Sequence, residues 1–530
     1  MPVAPTYPGV YIEEIPSGVR TITGVATSIT AFIGRALRGP TNEPVTINSY
    51  ADFERIFGGL WMDSRLGNTV RDFYLNGGSQ AIIVRLFHPT AASGGGPTPV
   101  SKATIDANGL NLVAASEGTW GNSLRARIDH DVAGGATDLF NLSVRDDATG
   151  QIEVFRNLSL LLGHPRQVDK VLANGSNLVR LSGSLPPPTP TPPLPLAHAA
   201  GAGLDIWADN TPETNDKVTG AGIASDGDGL AESDFTGPGL ENNKQGLYAL
   251  RKADLFNLLC IPPYKSDDNV DTSLLSAATA YCQKRRAMMI IDPPSDWNDK
   301  DDAKSGLSGD IGVTSNYAAL YFPRLRQPNP LRSTQVEDFV PCGAVAGVMA
   351  RTDATRGVWK APAGLAANLV GVPQLSVPLT DAENGELNPL GINCLRAFPA
   401  GGRVVWGART LEGDDRLASE WKYVPVRRTA LYIEESLYRG TQWVVFEPND
   451  EPLWAQIRLN IGAFMHNLFR QGAFQGATPK EAYFVKCDKE TTTQNDINLG
   501  IVNIIVGFAP LKPAEFVIIK VQQLAGAIET

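Results

Sequence analysis

Two continuous apolar runs with an amphipathic segment between them give the clearest local pattern in the chain. The runs "DLFNLLCIPP" (254–263) and "AMMIIDPP" (287–294) predict buried strands. The segment between them, 272–286, predicts a helix with Leu275, Ala278 and Cys282 on one face. Two strands joined in this way form a βαβ unit with parallel strands. The stretch 343–364 predicts a further helix, closed by Pro362 and Gly364, so the middle of the chain is expected to be α/β.

The last part of the chain follows a different pattern. Start signals at Asn449, Asp450 and Pro452 and a stop at Gly472 predict one long amphipathic helix. Its apolar stripe is expected to consist of Leu453, Ile457, Ile461, Phe464 and Leu468. Its polar face is expected to consist of Gln456, Asn460, Asn467 and Arg470. Two strands are predicted after it, "GIVNIIVGFAP" (500–510) and "AEFVIIKVQQ" (514–523). Pro510 and Pro513 exclude a tight hairpin between them, so the second strand need not pair with its own body.

The N-terminus also predicts a strand without a neighbour. Val10–Ile15 lies between Pro8 and Pro16 and has nothing beside it in sequence to pair with. The following stretch "SGVRTITGVATS" (17–28) is rich in glycine, serine and threonine and predicts a flexible tether.

Two linker-like stretches, 88–99 and 184–203, enclose a region of alternating apolar and polar residues that predicts small antiparallel strands. Within 205–241, nine acidic residues stand against one lysine, which predicts a solvated loop. We therefore expect an outward-facing, β-rich insert.

Composition narrows the class of protein. A chain of 530 residues is too long for one core, and a net charge of −10 argues against nucleic acid as the main partner. No apolar run is long enough to span a bilayer, and the first residues lack the pattern of a secretory signal, so folding in the cytoplasm is expected. Five widely spaced cysteines without a CxxC pair predict buried, reduced thiols.

Catalytic and metal-binding patterns are mostly missing. The sequence has no P-loop, GxGxxG, HExxH or GxSxG motif. The stretch "DGDG" (226–229) lacks the glycine and the glutamate that a calcium-binding loop needs at its sixth and twelfth positions, so a solvated turn is favoured there. Asp292 at a strand end suits either a turn or a functional acid. Ser315 is the best nucleophile candidate, but residues 199–465 contain no histidine to serve as its base.

Several long motifs at both ends of the chain resemble contractile tail sheath proteins of phages and phage-tail-like injection particles. They are "YPGVYIEEIPSG", "TSITAFIGRALRGP", "ADFERIFGG", "NGGSQAIIVRL", "EGTWGN", "WVVFEPNDEPLWAQIRLNIGAFMHNLFRQGAF" and "GFAPLKPAEFVIIKV". The likeness is specific over 1–90 and about 400–530, looser over 241–400 and weak in the 91–240 insert.

The resemblance implies an α/β multidomain fold. Its expected parts are an N-terminal exchange arm and tether (1–24), a non-catalytic subtilisin-like α/β domain (25–90 with 241–405), a β-rich inserted outer domain (91–240), and an α+β terminal domain (406–530). The terminal domain would contain a tube-facing helix (453–471) and a C-terminal exchange strand (515–522).

The resemblance also implies strand exchange between subunits, through Val10, Tyr11, Ile12, Glu13, Glu14, Ile15, Phe516, Val517, Ile518, Ile519, Lys520 and Val521. An arm of 20 residues can span up to ~70 Å, enough to reach a neighbour. Candidate contacts to the tube are Arg458, Asn460, Asn467 and Arg470.

The implied function is that of a sheath subunit, which forms stacked sixfold rings around an inner tube and contracts to drive the tube through a target envelope. Expected partners are further copies of the chain, the tube protein, and baseplate and terminator or cap proteins, with no cofactor, metal or nucleic acid and no direct membrane insertion. The particle would assemble in the cytoplasm without a signal peptide, and whether it belongs to a phage or a cell-encoded device stays open, as does its release from the cell. The alternatives are a baseplate or other structural part of the same particle and a serine hydrolase built on Ser315.

Overall fold

The protein was studied as a computed structural model, which describes residues 20–520 apart from 92–99, 133, 135, 186–193, 202, 266 and 267. The strands, in chain order, are β1 (Thr30–Gly34), β2 (Val45–Ile47), β3 (Ala81–Arg85), β4 (Thr104–Ala107), β5 (Leu110–Ala114), β6 (Leu124–Asp129), β7 (Phe140–Asp146), β8 (Ile152–Leu158), β9 (Val179–Leu181), β10 (Asp216–Lys217), β11 (Leu258–Cys260), β12 (Met288–Ile291), β13 (Ala318–Phe322), β14 (Leu325–Asn329), β15 (Gln335–Phe339), β16 (Gln374–Leu375), β17 (Ile392–Phe398), β18 (Gly402–Val405), β19 (Tyr483–Lys486) and β20 (Ile505–Phe508).

The α-helices are α1 (Tyr50–Phe57), α2 (Leu66–Leu75), α3 (Val168–Gly175), α4 (Ser233–Thr236), α5 (Leu240–Asn243), α6 (Thr272–Arg285), α7 (Lys300–Gly306), α8 (Cys342–Arg356), α9 (Asp381–Leu387), α10 (Val424–Gly440), α11 (Glu451–Arg470), α12 (Pro479–Ala482) and α13 (Gln494–Asn498).

A large, mostly parallel sheet forms the centre of the molecule, in the strand order β18-β17-β13-β12-β11-β1-β3-β2. The six inner strands run parallel, and the two edge strands β2 and β18 are antiparallel to their neighbours. The predicted βαβ unit of β11, α6 and β12 is confirmed, with Leu258 paired to Met288. Strand β1 brings the N-terminal part of the chain between β11 and β3, so residues on both sides of the insert build one sheet.

Alternating side chains of these strands fill two cores, one on each face of the sheet. On one face, Ile33, Leu259 and Met289 pack against α6. On the other, Phe32 and Ile290 pack against α1, α2 and α8. Because helices cover both faces, the strands are apolar throughout rather than alternating, which is typical of parallel sheets.

Helix α8 is shorter than predicted. It ends at Arg356, where Gly357 has a φ of +90°, instead of continuing to Pro362 and Gly364. Glycine tolerates this backbone conformation without a steric cost, so it stops the helix before the proline is reached.

The insert contains two antiparallel sheets, β4-β5-β9 and β10-β6-β7-β8, around a core of its own. The prediction of antiparallel strands is confirmed there by the pairing of β6, β7 and β8. The acidic stretch 205–241, predicted as a solvated loop, lies mostly on the surface, but two of its carboxylates bond to other residues of the insert. Asp209 accepts a hydrogen bond from Arg125 at 2.7 Å, and Asp226 accepts one from the Thr119 N–H at 2.7 Å.

The terminal part packs α10, α11 and the two-stranded sheet β19-β20 around a fourth core. All five residues of the predicted apolar stripe of α11 are buried in it, namely Leu453, Ile457, Ile461, Phe464 and Leu468. Helix α10 joins this part to the central sheet, because Val424 lies in the core beneath the sheet and Ile433 in the terminal core.

Candidate subunit interface

The described end of the chain carries a row of exposed apolar side chains. Phe516, Val517, Ile518 and Ile519 are 74%, 80%, 82% and 81% exposed. The sequence predicts a strand here, but residues 511–520 form no strand with any other described residue. Four β-forming side chains in a row exposed to water are costly for an isolated molecule, and they mark a surface that a partner can cover.

The sheet β19-β20 lies close to the root of this segment. It has two strands only, with Tyr483 opposite Phe508 and Lys486 opposite Ile505, and both outer edges are unpaired within the described residues. Phe484 and Ile505 are about half exposed, at 51% and 48%. A two-stranded sheet is marginal in water, and two further strands would complete it.

The described part of the predicted tether, 20–28, is fastened to the body, so the expectation of a flexible linker is wrong for these residues. The Arg20 N–H donates to Asn460 Oδ1 at 2.9 Å, and the Arg20 guanidinium stacks 4.4 Å from the Trp443 ring centre. Ile22 is buried in the terminal core, and the Val25 N–H donates to Ser436 at 3.2 Å.

A buried ion pair holds the end of the same stretch. Arg428 of α10 binds Asp353 of α8 at 2.6 Å, and both side chains are almost fully buried. The Thr27 hydroxyl donates to Asp353 Oδ2 at 2.7 Å, and its carbonyl accepts from Arg428 at 2.9 Å. The glycine, serine and threonine residues of this stretch predicted a flexible backbone. Thr27 is held, however, by hydrogen bonds to residues more than 300 positions away in the sequence.

The predicted polar face of α11 is only partly exposed. Asn460 is 2% exposed and holds Arg20, so its prediction as a tube-facing residue is wrong. The position could have been recognised, because Asn460 lies three residues after Ile457 and four before Phe464, within the apolar stripe. Asn467 and Arg470 are exposed, whereas Arg458 is half-buried and donates to Glu451 and to the Cys487 carbonyl.

The remaining exchange candidates, Val10, Tyr11, Ile12, Glu13, Glu14, Ile15 and Val521, lie outside the described residues. Lys520 is the last described residue and is exposed.

Ser315 is placed as part of a turn. Its hydroxyl accepts a hydrogen bond from the Tyr317 N–H at 3.1 Å. His88 bonds to Asp234, and His130 bonds to the Pro195 carbonyl. His198 bonds to Asp216 and accepts from the Ile128 N–H, and none of these three side chains bonds to Ser315. This geometry gives no support to the hydrolase alternative.

Asp292 accepts a hydrogen bond at the start of a helix. Its Oδ1 accepts from the Cys342 N–H at 2.8 Å at the start of α8. Burial raises the pKa of the carboxyl group to about 7. In the "DGDG" turn, Asp226 and Asp228 accept hydrogen bonds from Thr119 and from the Ala91 N–H.

The five cysteines are all buried and free, as predicted. Burial raises the pKa of the Cys260, Cys282, Cys342, Cys394 and Cys487 thiols. Across the described residues there is no group of three or more histidine, cysteine or acidic side chains arranged to hold a metal ion. Within the same described residues, no helix is long and apolar enough to cross a membrane.

Comparison with known proteins decides the family. The model of the phage tail sheath protein central domain matches residues 237–411, and that of the phage tail sheath C-terminal domain matches residues 418–523. Together the two matches cover more than half of the chain. The chain belongs to the phage tail sheath family. The resemblance seen in the motifs at both chain ends is therefore confirmed.

Individual relatives carry the same description. The tail sheath protein of Burkholderia phage BcepMu is 24% identical over 485 residues, which cover 88% of this chain and 87% of that protein. The tail sheath protein of Vibrio phage KVP40 is 30% identical over 127 residues, and the match spans 24% of this chain and only 18% of that protein's length.

Solved structures of sheath proteins share the fold over nearly the whole chain. The helical sheath of the anti-feeding prophage in its contracted state is 22% identical with a TM-score of 0.56, covering 98% of this chain and 100% of that one. The sheath complex of the extracellular contractile injection system PVC, also contracted, is 21% identical with a TM-score of 0.56 and 99% coverage of both chains. A sheath tail protein from Listeria innocua gives a TM-score of 0.58 at 14% identity, covering 92% and 96% of the two chains.

Proposed function

We propose that the chain is the sheath subunit of a contractile particle and that it polymerises by lending its ends to neighbouring copies. The single observation that supports strand exchange is the row of exposed apolar residues from Phe516 to Ile519, which finds no strand partner among the described residues of its own chain. A strand added to an exposed sheet edge gains main-chain hydrogen bonds and covers its side chains.

The acceptor in this proposal is the two-stranded sheet β19-β20 of another copy. One outer edge would receive Phe516–Val521 of a neighbour, and the other would receive Val10–Ile15 of a second neighbour. The half-exposed Phe484 and Ile505 lie on this sheet, where added strands would bring apolar partners. A four-stranded sheet built from three copies links rings without requiring their bodies to share a large fixed interface.

The proposed assembly is a stack of sixfold rings around an inner tube, closed by baseplate and terminator or cap proteins. It would be built in the cytoplasm in an extended, metastable state, and repacking into a shorter and wider lattice would drive the tube forward. The contracted sheaths of the anti-feeding prophage and of PVC share this fold. In this proposal the domain around the central sheet has a subtilisin-like fold and serves as a scaffold. It does not act as a protease.

Helix α11 is the proposed contact to the tube. Asn467 and Arg470 are the exposed polar candidates, and Arg458 joins them once it exchanges its bond to Glu451 for one to the tube. Exposed ion pairs contribute only about 0–1 kcal/mol each, which suits a contact that must release when the sheath contracts.

A proline substitution at Ile518 tests strand exchange. Purified full-length chain is expected to form hollow cylinders in negative-stain electron microscopy. Ile518→Pro removes one main-chain N–H and is expected to give a folded protein without cylinders. Ile518→Ala is the matched control, because it shortens the same side chain but keeps the N–H, and it should still assemble.

Deleting residues 1–19 tests the other arm and leaves the fastening of Arg20 intact. Loss of cylinders with an unchanged circular dichroism spectrum is expected. Normal cylinders from both this deletion and Ile518→Pro would contradict strand exchange. Discrete rings from the unmodified chain would favour a baseplate component instead.

A further inference from the structure

Arg409 is the most completely buried arginine at the boundary between the central sheet and the terminal part of the chain. Its side chain is 0% exposed. Its N–H donates to Asn393 Oδ1 at 2.6 Å, and its carbonyl accepts from Asn393 Nδ2 at 2.7 Å. Asn393 lies in β17 and also donates to the Leu320 carbonyl of the neighbouring strand β13 at 3.0 Å. The backbone of Arg409 is therefore held by two inner strands of the central sheet.

The guanidinium group of Arg409 points to the C-terminal segment. Its Nε and Nη2 donate to the two carboxylate oxygens of Glu515 at 2.8 and 2.7 Å. The Tyr423 hydroxyl adds a third hydrogen bond to Glu515, at 3.2 Å. Burial and, next, the charge of Glu515 raise the pKa of Tyr423 to about 12, so this hydroxyl remains a donor at neutral pH. A planar guanidinium bound to both oxygens fixes the direction as well as the position of the carboxylate.

Glu515 is the last fastened residue of the described chain. The hydrogen bonds that precede it are made by Ala509, which donates to the Ala482 carbonyl at 2.8 Å and accepts from Gln475 at 2.9 Å. Between Pro510 and Lys520, Glu515 makes the only side-chain hydrogen bonds to other described residues. Directly after it, the side chain of Phe516 is 74% exposed.

We infer that the Arg409–Glu515 pair is the anchor at which the C-terminal arm leaves the body, and that it transmits the pull of a strand-exchanged neighbour to the central sheet. This inference rests on the proposed exchange of Phe516–Val521. Glu515 is a positioning residue here: it does not contact the neighbour, but it fixes the point from which the exchanged strand starts.

The anchor has a definite mechanical consequence. Without it, the last fixed point of the chain moves back from Glu515 to Pro510. The five released residues can span at most ~17 Å from Pro510, at ~3.3–3.6 Å per residue, so the start of the arm is no longer fixed at one point. Copies would remain linked by their exchanged strands, but the link would contain slack, so movement of one copy would be passed less faithfully to the next.

The chain provides a matched control for this idea. Asp415 accepts a hydrogen bond from Nη1 of the same arginine at 3.0 Å but belongs to the body. Glu515→Gln and Asp415→Asn thus each remove one carboxylate from Arg409, and only the first loosens the arm. If Arg409 only stabilised the body of the subunit, the two variants would show the same cylinder stiffness and the same rate of cleavage.

The experiment compares cylinders of the full-length unmodified chain, Glu515→Gln and Asp415→Asn by cryo-electron microscopy. We expect all three to assemble, with a persistence length severalfold lower for Glu515→Gln and unchanged for Asp415→Asn. Chymotrypsin cleavage after Phe516 in the unassembled chain should also be severalfold faster in Glu515→Gln only.

Three outcomes would overturn the inference: equal stiffness and cleavage in all variants, equal changes in both variants, or loss of the folded monomer in Glu515→Gln. The last would make the pair a part of the body's own stability. Absence of cylinders from the unmodified chain would instead contradict the proposed function, and the cleavage comparison would still decide whether Glu515 fastens the arm.

Discussion

Replacing Asp292 with asparagine tests how one buried carboxyl group couples the stability of the central α/β unit to pH. Asp292 Oδ1 holds the first N–H of α8, and Oδ2 is buried without a hydrogen-bond partner among the described residues. Burial is the main reason that its pKa rises to about 7. Hydrogen bonding to Cys342 and the charge of Arg324 oppose the rise, and the charge of Asp268 adds to it.

The sign of the effect follows from the direction of the shift. The pKa in the folded protein is higher than the ordinary value of 3.8, so the neutral carboxyl contributes stability that is complete below about pH 4. That contribution is lost as the pH rises through about 7. The full shift corresponds to about 4 kcal/mol, of which about 1 kcal/mol is lost between about pH 6 and about pH 8.5.

Asp292→Asn keeps an acceptor for the Cys342 N–H and cannot ionise. We expect the difference in free energy of unfolding, variant minus unmodified chain, to increase by about 1 kcal/mol from about pH 6 to about pH 8.5. Urea denaturation of the unassembled chain, followed by circular dichroism, measures it. Any fixed cost of burying the new amide nitrogen cancels in this comparison. Asp301→Asn, at a side chain that is 70% exposed, is the control, and a pH-independent difference for Asp292→Asn would refute the reasoning.

Two further predictions concern the fastened N-terminal stretch. Gly24→Ala places a Cβ 2.0 Å from the Tyr432 hydroxyl oxygen and should lower the free energy of unfolding by about 1–3 kcal/mol. Adding Tyr432→Phe removes that oxygen and should restore part of the loss. No restoration in the double variant would contradict the steric explanation. Asp353→Asn leaves the buried Arg428 without its counter-ion and should cost about 3–5 kcal/mol in urea denaturation. A loss below about 1 kcal/mol, the size typical of exposed pairs, would show that water reaches the site.

Local pattern was sufficient to predict the elements that are defined by their own side chains. The apolar runs around Leu258 and Met288 became adjacent parallel strands, and the stripe from Leu453 to Leu468 became the buried face of α11. In both cases the spacing of the apolar residues is sufficient to identify the buried side of the element. The identity of the elements that pack against it is not needed.

Contacts between distant positions could not be predicted in this way. Asn460 was assigned to the polar face because it is polar, but its partner Arg20 lies 440 positions away. Similarly, Gly24 suggests flexibility in sequence, whereas in the structure it allows the chain to pass close to Tyr432. The strand predicted at 514–523 is a different case: its β-forming residues are present, but a strand needs a second edge, and the described part of the molecule supplies none to it.

Two contacts that hold the ends of the described chain lie on one structural path that includes α11. Asn460, in the middle of this 20-residue helix, holds Arg20, and the residues just after the helix hold the C-terminal segment through the pairing of Phe474 with Pro510. The two points are fourteen positions apart, about 20 Å if the stretch were all helical. In the proposed sheath, a shift of α11 therefore acts on the N-terminal arm through Arg20 and on the C-terminal segment through Pro510, ahead of the Arg409–Glu515 anchor. A fastened tether serves this arrangement better than a flexible one, because slack at Arg20 would let the helix move without its neighbours. The helix proposed to grip the tube is then also one of the elements that pass movement to the adjoining copies.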